Sequence, residues 1–232
     1  MDPRANAPSS IIEWTEAEKY QNSFLIHEED NTLEFILNNS VAHGLPSHMP
    51  VSAGEGKFLN LLIKCLGVKR VLEVGTLGGY SAIWMAKAIP EDGQLVTLEL
   101  NDTYAQVAKE NIKQAGFEAR CQVIVGPAHK TLTNMQPDIP FDLVFIDADK
   151  KSYPAYFREA KRLVKKGGVI IVDNVIRYGN VHDKAVNDEN TVGIRKLLAD
   201  LKEDSRKGEI EATTIPTVGE KGFDGFLYAI RK

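Results

Sequence analysis

Cysteine is scarce in this 232-residue chain: Cys65 and Cys121 are the only two. A disulfide-rich scaffold is excluded. Both residues fall inside apolar periodic segments, which points to two buried, reduced thiols in a cytoplasmic protein. Long hydrophobic runs are missing too. None exceeds five residues, against roughly 20 needed to span a bilayer, so no membrane partner is expected. Nor is there a strong charge of one sign. Lys plus Arg is 28 and Asp plus Glu is 32, a net −4, which leaves no electrostatic footprint for a nucleic-acid backbone. The first 15 residues carry Pro3, Pro8, Ser9 and Ser10 but no apolar stretch, so no secretory leader is expected. His27, His43, His48, His129 and His182 show no paired metal spacing. What is present, 43% hydrophobic and 26% charged residues, excludes a disordered chain.

Residues 1–13 read as a flexible arm. Thr15 and Glu18 have capping-box spacing and predict a helix from Glu16. A second helix is expected over Thr32 to His43, stopped by Gly44. After a linker with Pro46 and Pro50, Ser52 and Glu55 open a third, with the stripe Phe58, Leu59, Leu62, Ile63 and Leu66. From residue 70 short apolar runs alternate with amphipathic segments. The runs are Arg70–Val74, Gln94–Leu100, Arg120–Val125, Phe141–Asp147 and Val169–Asp173. Helices are expected near 80–88, 102–115 (capped by Asp102), 128–136 and 153–164, and a further one over Thr191–Leu201. This rhythm predicts an α/β fold, a doubly wound parallel sheet with helices on both faces. Two last runs, Glu209–Ile215 and Gly225–Arg231, stand too close for a crossover helix and must pair antiparallel. The expectation is one domain over residues 1–232, in which N-terminal helices (14–66) precede a seven-stranded core (67–232).

Open parallel sheets bind ligands at the carboxyl ends of their strands. The first strand runs into Glu73-Val74-Gly75-Thr76-Leu77-Gly78-Gly79-Tyr80-Ser81. Glycine permits close ligand approach, and the helix N-terminus beyond it suits a carboxylate or a phosphate. The spacing is neither the dinucleotide G-x-G-x-x-G nor a P-loop. Glu99, at the end of the second strand, stands where an acid accepts hydrogen bonds from ribose hydroxyls. The fourth strand ends in Asp147-Ala148-Asp149-Lys150 and the fifth in Asp173-Asn174. Asp147, Asp173 and Asn174 can converge there as a hard oxygen site for Mg²⁺, Ca²⁺ or Mn²⁺. A lysine beside such a cation has its charged form disfavoured, as a general base requires, although Asp147 and Asp149 act in the opposite direction.

The Gly loop with acids ending the first two strands resembles the class I S-adenosylmethionine-dependent methyltransferases, which have a Rossmann-like sheet. That resemblance places cofactor contacts on Gly75, Thr76 and Ser81, the ribose on Glu99, and the methionine amino group near Glu73. Asp147-Ala148-Asp149-Lys150 with Tyr153, then Gly167-Gly168 and Asp173-Asn174, is similar to the cation-dependent O-methyltransferases typified by the caffeoyl-CoA and catechol enzymes. Met49-Pro50-Val51-Ser52-Ala53-Gly54-Glu55-Gly56 resembles that family's segment before the first strand. The likeness spans roughly residues 45–232. It implies a metal on Asp147, Asp173 and Asn174, Mg²⁺ first, and Lys150 as base with Asp147 beside it. It adds cofactor contacts at Val51, Ala128 and Asp149, a small phenolic substrate with vicinal hydroxyls, and a homodimer. Val51 replaces a threonine common in plant members, Val175-Ile176-Arg177-Tyr178-Gly179 lacks their tryptophan, and Gly193 and Ile194 stand where they carry aromatics. A small catechol is therefore expected at least as much as a CoA ester. The N-terminal helices supply dimer contacts or a lid. A nicotinamide dehydrogenase is disfavoured by the Gly spacing. A catalytically impaired cofactor-binding or scaffold protein is disfavoured by the presence of Asp147, Lys150, Asp173 and Asn174.

Overall fold

The computed structural model describes residues 10–27 and 31–232. The apolar runs become strands: β1 (Arg70–Val74), β2 (Gln94–Glu99), β3 (Cys121–Val125), β4 (Phe141–Ile146), β5 (Val164–Val172), β6 (Ile210–Gly219) and β7 (Gly222–Arg231). They form one sheet in the order β3-β2-β1-β4-β5-β7-β6. The first five strands pair in parallel, whereas β7 is antiparallel to both β5 and β6. The expected α/β sheet with its C-terminal antiparallel hairpin is present.

Eight helices are described: α1 (Ile11–Leu25), α2 (Thr32–Ala42), α3 (Ala53–Leu66), α4 (Tyr80–Ala86), α5 (Asp102–Gln114), α6 (Ala128–Asn134), α7 (Tyr153–Leu163) and α8 (Glu189–Arg206). Alternate strand residues point to opposite faces. Val71, Leu143, Phe145, Val169 and Ile171 pack on one side with Ile36, Leu59, Ile63, Ile83 and Ile112 of α2 to α5. Leu72, Val144, Ile146, Ile170 and Val172 pack on the other with Leu132, Phe157, Ala160 and Leu197 of α6 to α8. Burial on both faces explains why these strands are continuous apolar runs.

Several boundaries differ from expectation. Ser10, not Thr15, caps α1: its hydroxyl accepts from Glu13 N at 3.3 Å and its own N–H donates to the Glu13 carboxylate at 3.1 Å. Thr15 is already helical and donates to Ile11 O. Residues 11–13 of the expected arm are therefore helical, and residues 1–9 lie outside the described residues. Asn101 rather than Asp102 caps α5, accepting from Thr103 N and Tyr104 N. β5 begins at Val164, because the chain continues through Gly167 (φ +75°), a register irregularity and two exposed lysines. The hairpin strands run on to Gly219 and Gly222, leaving Glu220-Lys221 as the turn. β6 is almost wholly exposed and carries Pro216, as an edge strand tolerates.

Only one of the two thiols is buried. Cys65 is exposed, one step off the α3 stripe whose Leu59 and Ile63 face the core. Cys121 is buried, and burial pushes its thiol up to about 12.

The α3–α4 contact permits a direct test. A Cβ at Gly56 would lie 2.3 Å from Trp84 Cδ1, and Asn60 Nδ2 donates to Trp84 O at 2.9 Å across the same contact. Gly56→Ala gains about 1 kcal/mol of helix propensity. Overpacking of the ring costs about 1–3 kcal/mol. The variant is expected to unfold at lower urea concentration than the parent, with unchanged slope, by far-ultraviolet circular dichroism.

Candidate active site

The sheet brings four strand ends to one edge in register. Gly75 N donates to Leu98 O at 3.0 Å, Asp147 N to Val74 O at 2.8 Å and Asp173 N to Ile146 O at 2.9 Å. The approach of β1 to β4 is so close that a Cβ on Gly75 (φ +103°) would lie 2.0 Å from Asp147 O. No side chain fits there.

On the β1–β2 side, Glu99 organises the Gly loop. Its Oε2 accepts from Leu77 N at 2.8 Å and Thr76 N at 3.3 Å, and its Oε1 from Asn101 N at 2.9 Å. The loop stands in a left-handed turn at Leu77 (φ +50°). The Thr76 side chain turns inward, its Oγ1 2.5 Å from Thr97 Oγ1. Glu73 is fully enclosed, accepting from Ser81 Oγ at 2.5 Å and Thr97 Oγ1 at 2.6 Å. Burial pushes its carboxyl up to about 8 despite those hydroxyls. Val51 is buried, and Ala128 is the first, half-buried residue of α6.

On the β4–β5 side, Lys150 Nζ donates to Asp147 Oδ1 at 2.8 Å and lies 5.6 Å from the centre of the Tyr153 ring. Asp149 is exposed and accepts from Tyr156 Oη at 2.6 Å and Ser152 Oγ at 2.5 Å, which fixes the 3₁₀ turn Lys150–Ser152. Asp173 is buried and its Oδ1 accepts from Asn174 N at 2.6 Å. Asn174 has a left-handed backbone (φ +54°). Tyr153 Oη donates to Asp173 O at 2.8 Å from below.

Two acids that the sequence reading did not assign to the site join this edge. Glu55 has the backbone half of its cap, donating from N to Ser52 Oγ at 3.2 Å. Its carboxyl turns to Asp173. Burial, and next the charge of Asp147, push Glu55 up to about 7. Burial, then Glu55 and Asp147, push Asp173 well above the usual carboxylate range. Asp224 of β7 accepts from Ile176 N and Arg177 N, each at 2.9 Å, and from Gly225 N at 3.0 Å. The visible signal for Asp224 was an isolated acid in an apolar run. For Glu55, helix capping masked any such signal.

This crowd of carboxyls suits a hard cation. Asp147, Asp173 and Asn174 are the residues here that could hold one, through two carboxylates and an amide oxygen, and like-charge repulsion among the neighbouring acids is what a divalent ion relieves. Among the described residues, no group of three or more His, Cys, Asp or Glu is arranged to hold a metal. Among the described residues, no helix is long and apolar enough to cross a membrane.

Residues 25–223 match the family model described as O-methyltransferase. The chain is 42% identical over 230 residues to a catechol O-methyltransferase of Mycobacterium tuberculosis, covering 99% of this chain and 98% of that one. It is 37% identical to a caffeoyl-CoA O-methyltransferase of Populus kitakamiensis, over 79% of each. A solved O-methyltransferase from Bacillus cereus in complex with SAH superimposes with a TM-score of 0.91 at 42% identity, covering 96% of this chain and 100% of that one.

Glu73 yields a pH test. Its folded value of about 8 lies above the ordinary 4.5. Its contribution to stability is therefore full below pH 4.5 and is lost as pH rises through about 8. Glu73→Gln keeps the shape without the ionisation. Across that window, unfolding free energy is expected to fall less steeply with pH in the variant, by up to about 1.4 kcal/mol per pH unit. Denaturant titrations at several pH values measure this.

Proposed function

The chain belongs to the O-methyltransferase family, and on that premise we propose that it transfers the methyl group of S-adenosylmethionine to one hydroxyl of a small vicinal diphenol, with a divalent cation and with Lys150 as the base. The observation that carries this reading is the joining of the Gly loop to the Asp147–Lys150 strand end through the contact of Gly75 with Asp147 O.

S-adenosylmethionine supplies an electrophilic methyl, and a divalent cation when bound supplies a Lewis acid that acidifies a phenol hydroxyl. Asp147, Asp173 and Asn174 would hold that cation, Mg²⁺ being the best match to the oxygen donors. The backbone of Gly75 and the hydroxyl of Ser81 bind the methionine end, with Glu73 behind Ser81. Glu99 takes the ribose while keeping the loop N–H groups aligned. Thr76 borders the cofactor within the loop, its hydroxyl turned to Thr97 and its N–H to Glu99. Val51, Ala128 and Asp149 border the remainder of the cofactor. Lys150 takes the phenol proton. Its ion pair with Asp147 holds the amine at the site. Fixing nucleophile and methyl in line contributes up to about 7–11 kcal/mol toward the barrier.

The same reading carries a homodimer, supported by the exposed Ile12, Tyr20, Phe24 and Leu25 of α1. It also carries a cytoplasmic setting, in which the exposed Cys65 stays reduced.

Methylation of a catechol by S-adenosylmethionine is expected to need added Mg²⁺ or Mn²⁺ and to stop with excess chelator. A monophenol should be a poor substrate. Turnover indifferent to chelator would reject the metal. Lys150→Ala is expected to cut kcat by about 10²–10⁴-fold while SAH binding persists. Full turnover of that variant near neutral pH would remove Lys150 as the base.

A further inference from the structure

The two halves of the Gly loop are anchored by different residues. Glu99 fixes the first half by accepting from Thr76 N and Leu77 N. The second half, Gly78-Gly79, ends in the N-cap of α4, and Gly79 has no side chain to bond the free N–H groups of that helix. The direction in which α4 leaves the loop is set from outside. Asn111 of α5 reaches the junction, its Nδ2 donating to Gly78 O at 2.8 Å. Across the same peptide unit, Gly79 N donates to Thr76 O at 2.8 Å. The plane of the Gly78–Gly79 peptide is thus held at both of its polar atoms.

Asn111 is fully buried. Its Nδ2 also donates to Ser40 Oγ at 3.2 Å, and its Oδ1 accepts from Asn39 Nδ2 at 2.8 Å. The Ser40 hydroxyl donates to Ile36 O at 2.8 Å, which leaves its oxygen to accept. Two acceptors on one side and a donor on the other admit a single orientation of the amide. Packing imposes the same arrangement. A Cβ at Gly78 would lie 2.2 Å from Ser40 Oγ, and one at Gly79 would lie 3.6 Å from Ala108 Cβ. The loop is enclosed between α2 and α5.

The polar character of this contact needs a reason. Leu33 and Ile36 of α2 and Ala108 and Ile112 of α5 are buried and apolar. Apolar side chains in place of Asn39, Ser40 and Asn111 would pack these helices without three polar groups to satisfy. A satisfied buried network specifies one arrangement where apolar packing tolerates several. The arrangement specified here is that of the loop proposed for the methionine end of the cofactor. One turn further, Ser81 of α4 meets Glu73.

We propose that Asn111 is a positioning residue for S-adenosylmethionine, oriented by Asn39 and Ser40, so that helix α2 takes part in holding the cofactor loop. This rests on the cofactor reading above and deepens it.

The test uses the full chain. Asn111→Leu keeps the bulk and removes the amide. Asn39→Ala removes only the bond that orients it. Asn60→Leu is the comparison, because it removes another buried amide, which donates to Trp84 O and makes no bond to the loop. Circular dichroism establishes conditions in which each variant is folded. SAH affinity is measured by calorimetry, and KM with S-adenosylmethionine, catechol and Mg²⁺. Asn111→Leu is expected to raise the SAH dissociation constant and the KM for S-adenosylmethionine about tenfold, the worth of one hydrogen bond. The KM for catechol should be unchanged. Asn39→Ala should shift the same two quantities in the same direction by a smaller factor, and it decides the question if Asn111→Leu does not fold. Asn60→Leu should lower the unfolding midpoint and leave both quantities unchanged. Equal SAH binding by the parent and the Asn111 variant overturns the assignment with the cofactor reading intact. An equal loss in Asn60→Leu, or a rise in the KM for catechol as large as that for S-adenosylmethionine, also overturns it, because either reports general loosening. Failure of the parent to bind SAH removes the cofactor reading and the assignment with it.

Discussion

Everything at the functional edge depends on how closely β1 and β4 end beside one another. The Gly75 Cα stands against the carbonyl of Asp147, so that a Cβ there would lie 2.0 Å from the carbonyl oxygen. This contact couples two pieces of chemistry that are about 70 residues apart in the chain. The loop proposed for the cofactor cannot shift without moving the strand end that carries Asp147 and Lys150. A parallel sheet makes such coupling natural, because all its carboxyl ends share one edge. The glycine brings two of those ends within van der Waals contact.

The second constraint is electrostatic. Glu55, Asp147, Asp173 and Asp224 are near enough to influence one another, and Glu55 and Asp173 are pushed upward by burial and by their neighbours. An unrelieved group of buried acids opposes folding. Three devices lessen the cost here: Lys150 pairs with Asp147, backbone N–H groups of residues 176, 177 and 225 converge on Asp224, and the Asn174 N–H donates to Asp173. These bonds hold the strand ends still, which is what the proposed cation site would require.

Much of the fold was legible because burial on both faces leaves strong apolar runs, and β1 to β4 begin and end within a residue or so of the expected places. Boundaries shifted where local chemistry competed. Asn101 took the cap from Asp102 because its side chain reaches two N–H groups at once. The start of β5 was obscured by Lys165, Lys166 and the glycines, residues that rarely open a strand. The Gly loop and the acidic strand ends were legible as motifs. Their partners were not, because Glu55 lies on α3 and Asp224 on the last strand, and only the tertiary fold brings them to Asp173 and to the turn beyond it.

The outer wall of the site shows how an absence in the sequence becomes a structural requirement. The resemblance to the plant enzymes implies an aromatic residue where Gly193 stands, and from the sequence this reads as loss of a substrate contact. In the structure, a Cβ at residue 193 would lie 2.4 Å from Lys150 O and 2.6 Å from Lys151 Cα. Helix α8 therefore packs directly on the backbone of the turn that carries Lys150, and Ile194 beside it is fully buried in the core. Lys150 is thus held from two directions, by Asp147 at its amine and by α8 at its backbone. Asp149 bonds to Tyr156 and Ser152 to close the same turn. The smallness of residue 193 sets how far Lys150 reaches toward the strand ends. An aromatic residue there would demand a different placement of α8.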